Sequence, residues 1–202
     1  MLRIGSRWEL VATDGRRLVL RTIPSLFDFE PGSYLICGEV VRAMAGMGKT
    51  ARNIELKLTP YDSSITWNQR GKRGFEDREA HGTSGRFPKV SDVMDGASKP
   101  PLSTIETTVR DLLCQVPEAS SVYDLKTDKK GKVRFERVFQ VDNVKLTGDP
   151  LAISFCVEYL ADWLRELEPK EDIKLEFRGK DKPIFGRSDN FTYVLMPCAI
   201  AK

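Results

Sequence analysis

Apolar positions along the chain alternate more often than they recur at helical spacing. Trp8, Leu10 and Ala12 alternate with Arg7, Glu9 and Val11, Asp14-Gly15 supplies a turn dipeptide, and Arg17–Thr22 runs back. That pattern predicts a β-hairpin. Pro24 and Pro31 bracket a loop containing Phe27 and Phe29, and Tyr34–Cys37 reads as a short buried strand. From Glu39 to Met47 the spacing turns helical through Val40, Val41 and Met44, with Gly46 and Gly48 as the stop. Strands are expected near Asn53–Leu58 and Ser64–Trp67. Between Asn68 and Lys99 the chain is polar, broken only by an extended segment at Arg78–Thr83 and a turn at Gly85–Pro88.

Lys99-Pro100-Pro101 marks a boundary, because two prolines forbid a continuous helix and favour an extended linker. Beyond it a short helix is expected over Thr108–Val116, capped by Thr107 or Thr108 and stopped by Pro117. Strands follow at Ser121–Lys126, Lys132–Val138, Val141–Leu146 and Leu151–Cys156, the first two joined by a turn at Lys129-Lys130-Gly131. Val157, Leu160, Ala161, Leu164 and Leu167 form one face of an amphipathic helix, with Glu158, Asp162, Arg165 and Glu166 outward. Strands at Asp172–Phe177, Pro183–Phe185 and Phe191–Met196 complete the pattern. The fold class is α+β, with antiparallel sheets and few helices built twice, in domains 1–99 and 100–202. The tail is unusual. Chain ends are commonly polar, yet Phe191–Ile200 is apolar, and after Pro197 ends the strand it delivers Met196, Cys198 and Ile200 to an apolar setting. That setting is either the domain core or the wall of a site.

With 202 residues, 41% hydrophobic and 30% charged, the chain has the composition of a globular protein. No apolar run approaches the ~18 residues of a membrane span, and no signal-peptide core follows Met1. A cytoplasmic protein is expected. Cys37, Cys114, Cys156 and Cys198 lie far apart among apolar residues, which suits buried free thiols. There is no Cys-x-x-Cys pair and His81 is the single histidine, so neither a structural zinc nor a Ser-His-Asp or Cys-His centre is indicated. No metal or other cofactor is expected.

Ala43–Thr50 ends in Gly48-Lys49-Thr50, close to a phosphate-binding loop. Its first glycine is replaced by Ala43, and it lies after a helix and before a strand, where backbone amides do not form the same nest. A glycine-stopped helix end accounts for it, and a nucleotide-binding enzyme stays as the rival reading. Arg70, Lys72, Arg73, Arg78, Arg86 and Lys89 form one basic cluster; Lys126, Lys129, Lys130, Lys132, Arg134 and Arg137 form another. Glu76, Asp77, Glu79 and Asp128 dilute both, so a solvated face competes with sequence-blind phosphate contact. The net charge of +3 decides neither way.

Four segments together resemble the second and third domains of the bacterial sliding clamp, the β subunit of DNA polymerase III. Glu9–Leu18 (ELVATDGRRL) resembles that family's LVATDGHRL, and Gly85–Pro88 its GRFPDY turn. Ile153–Leu160 (ISFCVEYL) is similar to IGFNVKYLLD, and Tyr193–Pro197 (YVLMP) to the ending YVVMPMRL. The resemblance implies two clamp-type domains, each with antiparallel sheets packed on helices, in a ring of six such domains around duplex DNA. It implies no catalysis: an accessory processivity factor whose partners are DNA, the replicative polymerase, the clamp loader and other proteins carrying a clamp-binding peptide. The implied apolar peptide pocket comprises Thr13, Gly15, Arg16, Arg17 and Leu18, then Pro88 and Val93, then Val194, Leu195, Met196, Pro197 and Cys198. Arg42, Lys49, Arg110 and Arg165 would face DNA.

The chain departs from the family pattern at Arg16, Asp92 and Cys198–Ile200, and between Gln115 and Leu151 it is shorter. The family's first domain, and the opening strand and helix of its second, have no counterpart after Met1. The resemblance therefore leads one to expect either coding sequence upstream of Met1 or a shortened clamp. It leaves two functional forms open, a homo-oligomeric ring and an interaction module that keeps the pocket without closing a ring.

Overall fold

Short strands open the chain: β1 (Leu2–Ile4), then β2 (Trp8–Thr13) and β3 (Arg17–Ile23) about a turn at Asp14–Arg16. The computed structural model describes residues 1–4, 8–24, 30–71, 74–83, 87–116, 122–128, 132–135, 139–141 and 143–198. The expected hairpin is present, and Gly15 sits in its turn at φ 85°, a left-handed conformation that glycine adopts without strain. Its inward positions differ from simple alternation. Val11 is 2% exposed whereas Leu10 is 39% exposed, so burial passes from one face of β2 to the other along its length. The expectations for Phe27, Phe29, Lys72, Arg73, Gly85, Arg86, Lys129, Lys130, Gly131, Arg137 and Ile200 fall outside the described residues.

The chain folds as two compact units, residues 1–11 with 22–89, and residues 12–21 with 90–202. The hairpin therefore contributes to both, and the second unit resumes at Val90, upstream of the proline pair.

In the first unit β1 pairs with β2 and with β4 (Gly32–Tyr34), both antiparallel. Leu2, Ile4 and Trp8 form a small core with Ile23, Tyr34, Ile36 and Leu58. The strand expected at Tyr34–Cys37 is shifted, because the chain leaves the sheet after Tyr34 and Cys37 becomes the N-cap of α1 (Gly38–Gly46). The Cys37 amide donates to Ser63 Oγ at 2.9 Å. Then come β5 (Arg52–Leu58), β6 (Asp62–Gly71) and β7 (Gly74–Thr83), an antiparallel three-stranded sheet. Cys37, Val40 and Ile65 join α1 to this sheet, with Leu56, Trp67 and Ala80 against them. β6 and β7 run longer than expected. Their distal rungs, such as Asn68↔Asp77 and Gln69↔Glu76, carry polar residues that give no apolar period.

The second unit starts with α2 (Val90–Met94) and a 3-10 helix (Asp95–Ser98), neither legible in the polar sequence. It continues through β8 (Ser103–Thr108), α3 (Val109–Leu113), β9 (Val122–Thr127), β10 (Val133–Phe135), β11 (Phe139–Val141), β12 (Lys145–Gly148) and β13 (Ala152–Cys156). It ends with α4 (Val157–Arg165), β14 (Asp172–Phe177), β15 (Ile184–Ser188) and β16 (Phe191–Leu195). One antiparallel sheet here has the order β12-β8-β14-β15-β16-β3, and another the order β11-β10-β9-β13. Ile105, Leu125, Phe155 and Leu175 from the sheets pack with Val109 and Leu112 of α3 and with Leu160, Trp163 and Leu164 of α4. The class is thus α+β, antiparallel sheets on few helices, as expected.

β8 starts at Ser103, just past the proline pair, and its Ser103, Thr104 and Thr107 are buried polar residues. Cys114, expected to be buried, is exposed. The cap on α3 is as expected, for Thr108 Oγ1 accepts from the Asp111 amide at 3.1 Å.

Candidate functional site

The strand register of the second unit sorts its residues onto two faces. Ile105, Leu175, Gly186, Tyr193 and Val19 align across β8, β14, β15, β16 and β3. This row faces α4. Trp163 stacks on Tyr193 with ring centroids 5.3 Å apart, and a Cβ added to Gly186 would meet its ring at 2.5 Å. Only glycine admits the indole there.

One residue along, side chains point the other way. Thr104, Glu176, Phe185, Val194 and Leu18 make the second row across the same five strands, and all five are buried. The segment α2–3-10 covers part of this row: a Cβ at Gly96 would touch the Phe185 ring at 3.7 Å.

The hairpin turn beside the row is held by its own side chains. Thr13 Oγ1 donates to the Arg17 carbonyl at 2.7 Å and accepts from the Gly15 amide at 3.1 Å. Asp14 Oδ1 accepts from the amides of Arg16 and Arg17, each at 3.0 Å. This side-chain-built turn is why Thr-Asp-Gly occupies it. The tail follows its edge. The Met196 amide donates to the Arg16 carbonyl at 2.9 Å, one step beyond the Leu195↔Arg17 rung. Pro197 has no N–H to continue, and the Cys198 amide turns to the Ser154 carbonyl at 2.8 Å.

Arg17 fastens the turn to α4. Its Nε lies 2.9 Å from Asp14 Oδ2, its Nη1 2.7 Å from Asp162 Oδ2, and its guanidinium stacks 4.4 Å from the Tyr159 ring centroid. Burial alone would lower the Arg17 pKa, but hydrogen bonds to Asp162, Tyr193 and Asp14 outweigh it and raise the value. Burial likewise opposes ionisation of Asp14, and the amides of Arg16 and Arg17 with the Arg17 guanidinium still hold its carboxyl below the usual range. Burial pushes the Tyr193 hydroxyl up, and that hydroxyl donates to the Tyr159 carbonyl at 2.7 Å. These groups keep fixed charge states near neutrality, so the arrangement is suited to holding shape rather than moving protons.

Of the residues named by the resemblance, Leu18 and Val194 are cross-strand partners on one face. Met196 stands at the end of that face with 42% of its surface exposed, a large unbranched side chain beside buried apolar neighbours. Val93, Pro197 and Cys198 are half-buried, and Gly15 and Arg16 are exposed. Leu195 belongs to the α4-side core, so it lines the opposite face from Val194. Pro88 is exposed and belongs to the first unit. On the α4 side a separate cavity of about 540 Å³ is lined by Thr13, Asp14, Arg17, Trp163 and Tyr193.

No protein-family model and no curated protein matches the sequence. Solved structures do match. The chain aligns over 98% of its length with DNA polymerase III, beta chain, from Streptococcus pneumoniae, at a TM-score of 0.75 and 16% identity. It aligns over 99% with the DNA polymerase sliding clamp from Bacillus subtilis, at 0.72 and 16%, and over 99% with the DNA polymerase III beta subunit from Thermotoga maritima, at 0.71 and 18%. The fold is that of a sliding clamp. The chain spans just over half of those proteins, 56% of the first two and 57% of the third.

Within the clamp fold the four cations named for DNA are all exposed. Arg42 on α1 pairs with Glu39 at 2.8 Å, and Arg165 on α4 lies 3.4 Å from Asp162. Arg110 is on α3, and Lys49 is in the turn between α1 and β5. Gly48-Lys49-Thr50 accordingly follows a helix and precedes a strand, where the Ala51 amide bonds back to the Gly48 carbonyl at 2.9 Å. No helix N-terminus stands there to hold a phosphate. Sequence reading overlooked Tyr159, Phe185, Glu176 and Arg178. Tyr159 could have been found as the aromatic at Cys156+3 on α4; Phe185 and Glu176 become visible only through strand register, and Arg178 only through its contacts with Glu176 and the Ala97 and Lys99 carbonyls.

Proposed function

We propose that the chain is a non-catalytic, sliding-clamp-like processivity factor that binds short linear peptides of replication proteins. The observation that carries this reading is the clamp fold over 98–99% of the chain, with Leu18 and Val194 buried side by side and Met196 exposed at their edge. The pocket assigned to the peptide comprises Thr13, Gly15, Arg16, Arg17 and Leu18, with Pro88 and Val93, and with Val194, Leu195, Met196, Pro197 and Cys198. Leu195 and Arg17 contribute through their backbone and through support from beneath. Apolar anchors of a peptide entering a preformed groove give affinity from modest area.

In this reading the partners are duplex DNA, contacted without regard to sequence, the replicative polymerase, the clamp loader and other proteins with the same peptide motif. The setting is the cytoplasm, and no cofactor takes part. Arg42, Lys49, Arg110 and Arg165 would face DNA. A ring holds DNA by topology, so weak salt-screened contacts suffice, and acids beside two of these arginines agree with weak contact. A second form of the same reading is an interaction module that keeps the pocket without a ring. Light-scattering mass separates the two forms.

The test is fluorescence anisotropy with a labelled peptide from the tail of a replicative polymerase. Met196→Ala is expected to weaken binding by about 1–3 kcal/mol, as for truncation of a buried anchor. Equal affinity of wild type and Met196→Ala would remove the pocket from the reading.

A further inference from the structure

The segment that follows Val93 is held by a buried arginine that no motif names. Arg178, just after β14, has a side chain only 8% exposed. Its Nη2 lies 2.8 Å from Glu176 Oε2 and donates to the Ala97 carbonyl at 3.1 Å, while Nε donates to the Lys99 carbonyl at 3.0 Å. The guanidinium stacks on Phe185 at 4.5 Å. Arg187 Nε adds a second contact to Glu176 Oε2 at 3.2 Å. One planar fork thus fastens the last carbonyls of the 3-10 helix to the row that ends in Val194 and Leu18. A cation is the favoured partner for helix-terminal carbonyls.

Val93 lies three residues before Gly96 and four before Ala97. Met94, the last residue of α2 and the N-cap of the 3-10 helix, keeps helical angles at φ −78° and ψ −19°, so the segment turns without a break. Residues three and four apart share a helix side. A Cβ at Gly96 would meet Phe185, so the side of the segment that Val93 shares is the one turned to that ring, while the Ala97 and Lys99 carbonyls tie the segment's end to Arg178.

We propose that Arg178 is the positioning residue of the peptide pocket: through Ala97 and Lys99 it sets where the Val93 wall stands relative to Leu18 and Val194. The proposal rests on the peptide-binding reading. Lysine cannot replace the fork, because it offers a point charge where two carbonyls and a carboxylate are met at fixed angles.

The test measures peptide affinity by anisotropy, with amide hydrogen exchange of residues 90–99 and a thermal melt as companions. Arg178→Lys is expected to fold, to lose protection at residues 90–99 and to weaken peptide binding about tenfold. In a Val93→Ala background the same change is expected to weaken binding less than twofold, because the wall it positions is already gone. Should Arg178→Lys fail to fold, Arg178→Met with Glu176→Gln removes both charges together and leaves no carboxylate stranded. It carries the same expectation.

Full affinity in a folded variant that has lost protection at 90–99 overturns the proposal. So does an equal loss in both backgrounds. Absence of peptide binding by the wild type is a different result and removes the underlying reading instead.

Discussion

Trp163→Ala is expected to lower unfolding free energy by about 3–5 kcal/mol, the range for deleting a large buried aromatic. The indole is 2% exposed, stacks within 4° of parallel on Tyr193 and lies over Gly186, which has no side chain to move into the space. Its N–H meets no acceptor among the described residues, so truncation strands no polar partner and the loss is one of packing. Trp163→Phe keeps the stack and should lose less than half as much. Urea unfolding followed by circular dichroism measures both. A loss below about 1 kcal/mol for the alanine variant would mean that the α4 face collapses around the cavity more readily than its geometry suggests.

Glu176→Ala is expected to cost a similar amount, about 3–5 kcal/mol, for an electrostatic reason. Glu176 is 8% exposed and is the carboxylate that Arg178 and Arg187 both meet. Removing it leaves a guanidinium buried without its counter-charge, which is the costly way to break a buried pair. Glu176→Gln keeps an acceptor and should lose less. The pair also has a pH signature. Burial disfavours the Glu176 carboxylate, yet hydrogen bonds from Arg178 and Arg187 outweigh it and hold the pKa below the ordinary 4.5. A depressed folded-state pKa contributes stability that is present above the unfolded value and lost as pH falls through the folded one. Wild type should therefore exceed Glu176→Gln by a constant margin above about pH 5, and the margin should shrink below 4.5. A margin unchanged from pH 7 to pH 3 would contradict the assignment.

Elements with one buried face were legible in the sequence. β14 has the bounds Asp172–Phe177 that its apolar pattern indicates, and α4 shows its core through Leu160, Ala161 and Leu164. Other elements were hidden by what they bury or expose. β8 buries Ser103, Thr104 and Thr107, whose hydroxyls read as surface, directly after two prolines that read as linker. α2 spans five residues, too few for a helical period to register. In β7 charged residues outnumber apolar ones, so only the pairing with β6 reveals its length.

The candidate site divided along the same line. Thr13–Leu18 and Val194–Cys198 carry local chemistry that a sequence displays: a turn built by Thr and Asp, a strand, a proline stop. The partition of that set between two faces depends on register, which sends Leu195 and Arg17 toward α4 and leaves Leu18, Val194 and Met196 opposite. Phe185 was invisible for the same reason. Arg178 was hidden because its partners, Ala97 and Lys99, lie some eighty residues earlier, and the FRGKDKP stretch around it looks like an ordinary polar turn.

The most direct measurement of the central claim is an amide chemical-shift titration of the whole chain with an unlabelled polymerase-tail peptide. Saturable shifts are expected at Arg16–Leu18, at Val93 and its α2 neighbours, and at Val194–Cys198, with the Met196→Ala variant requiring more peptide to saturate. Saturable shifts confined to residues outside those segments, or none at all, would contradict that claim.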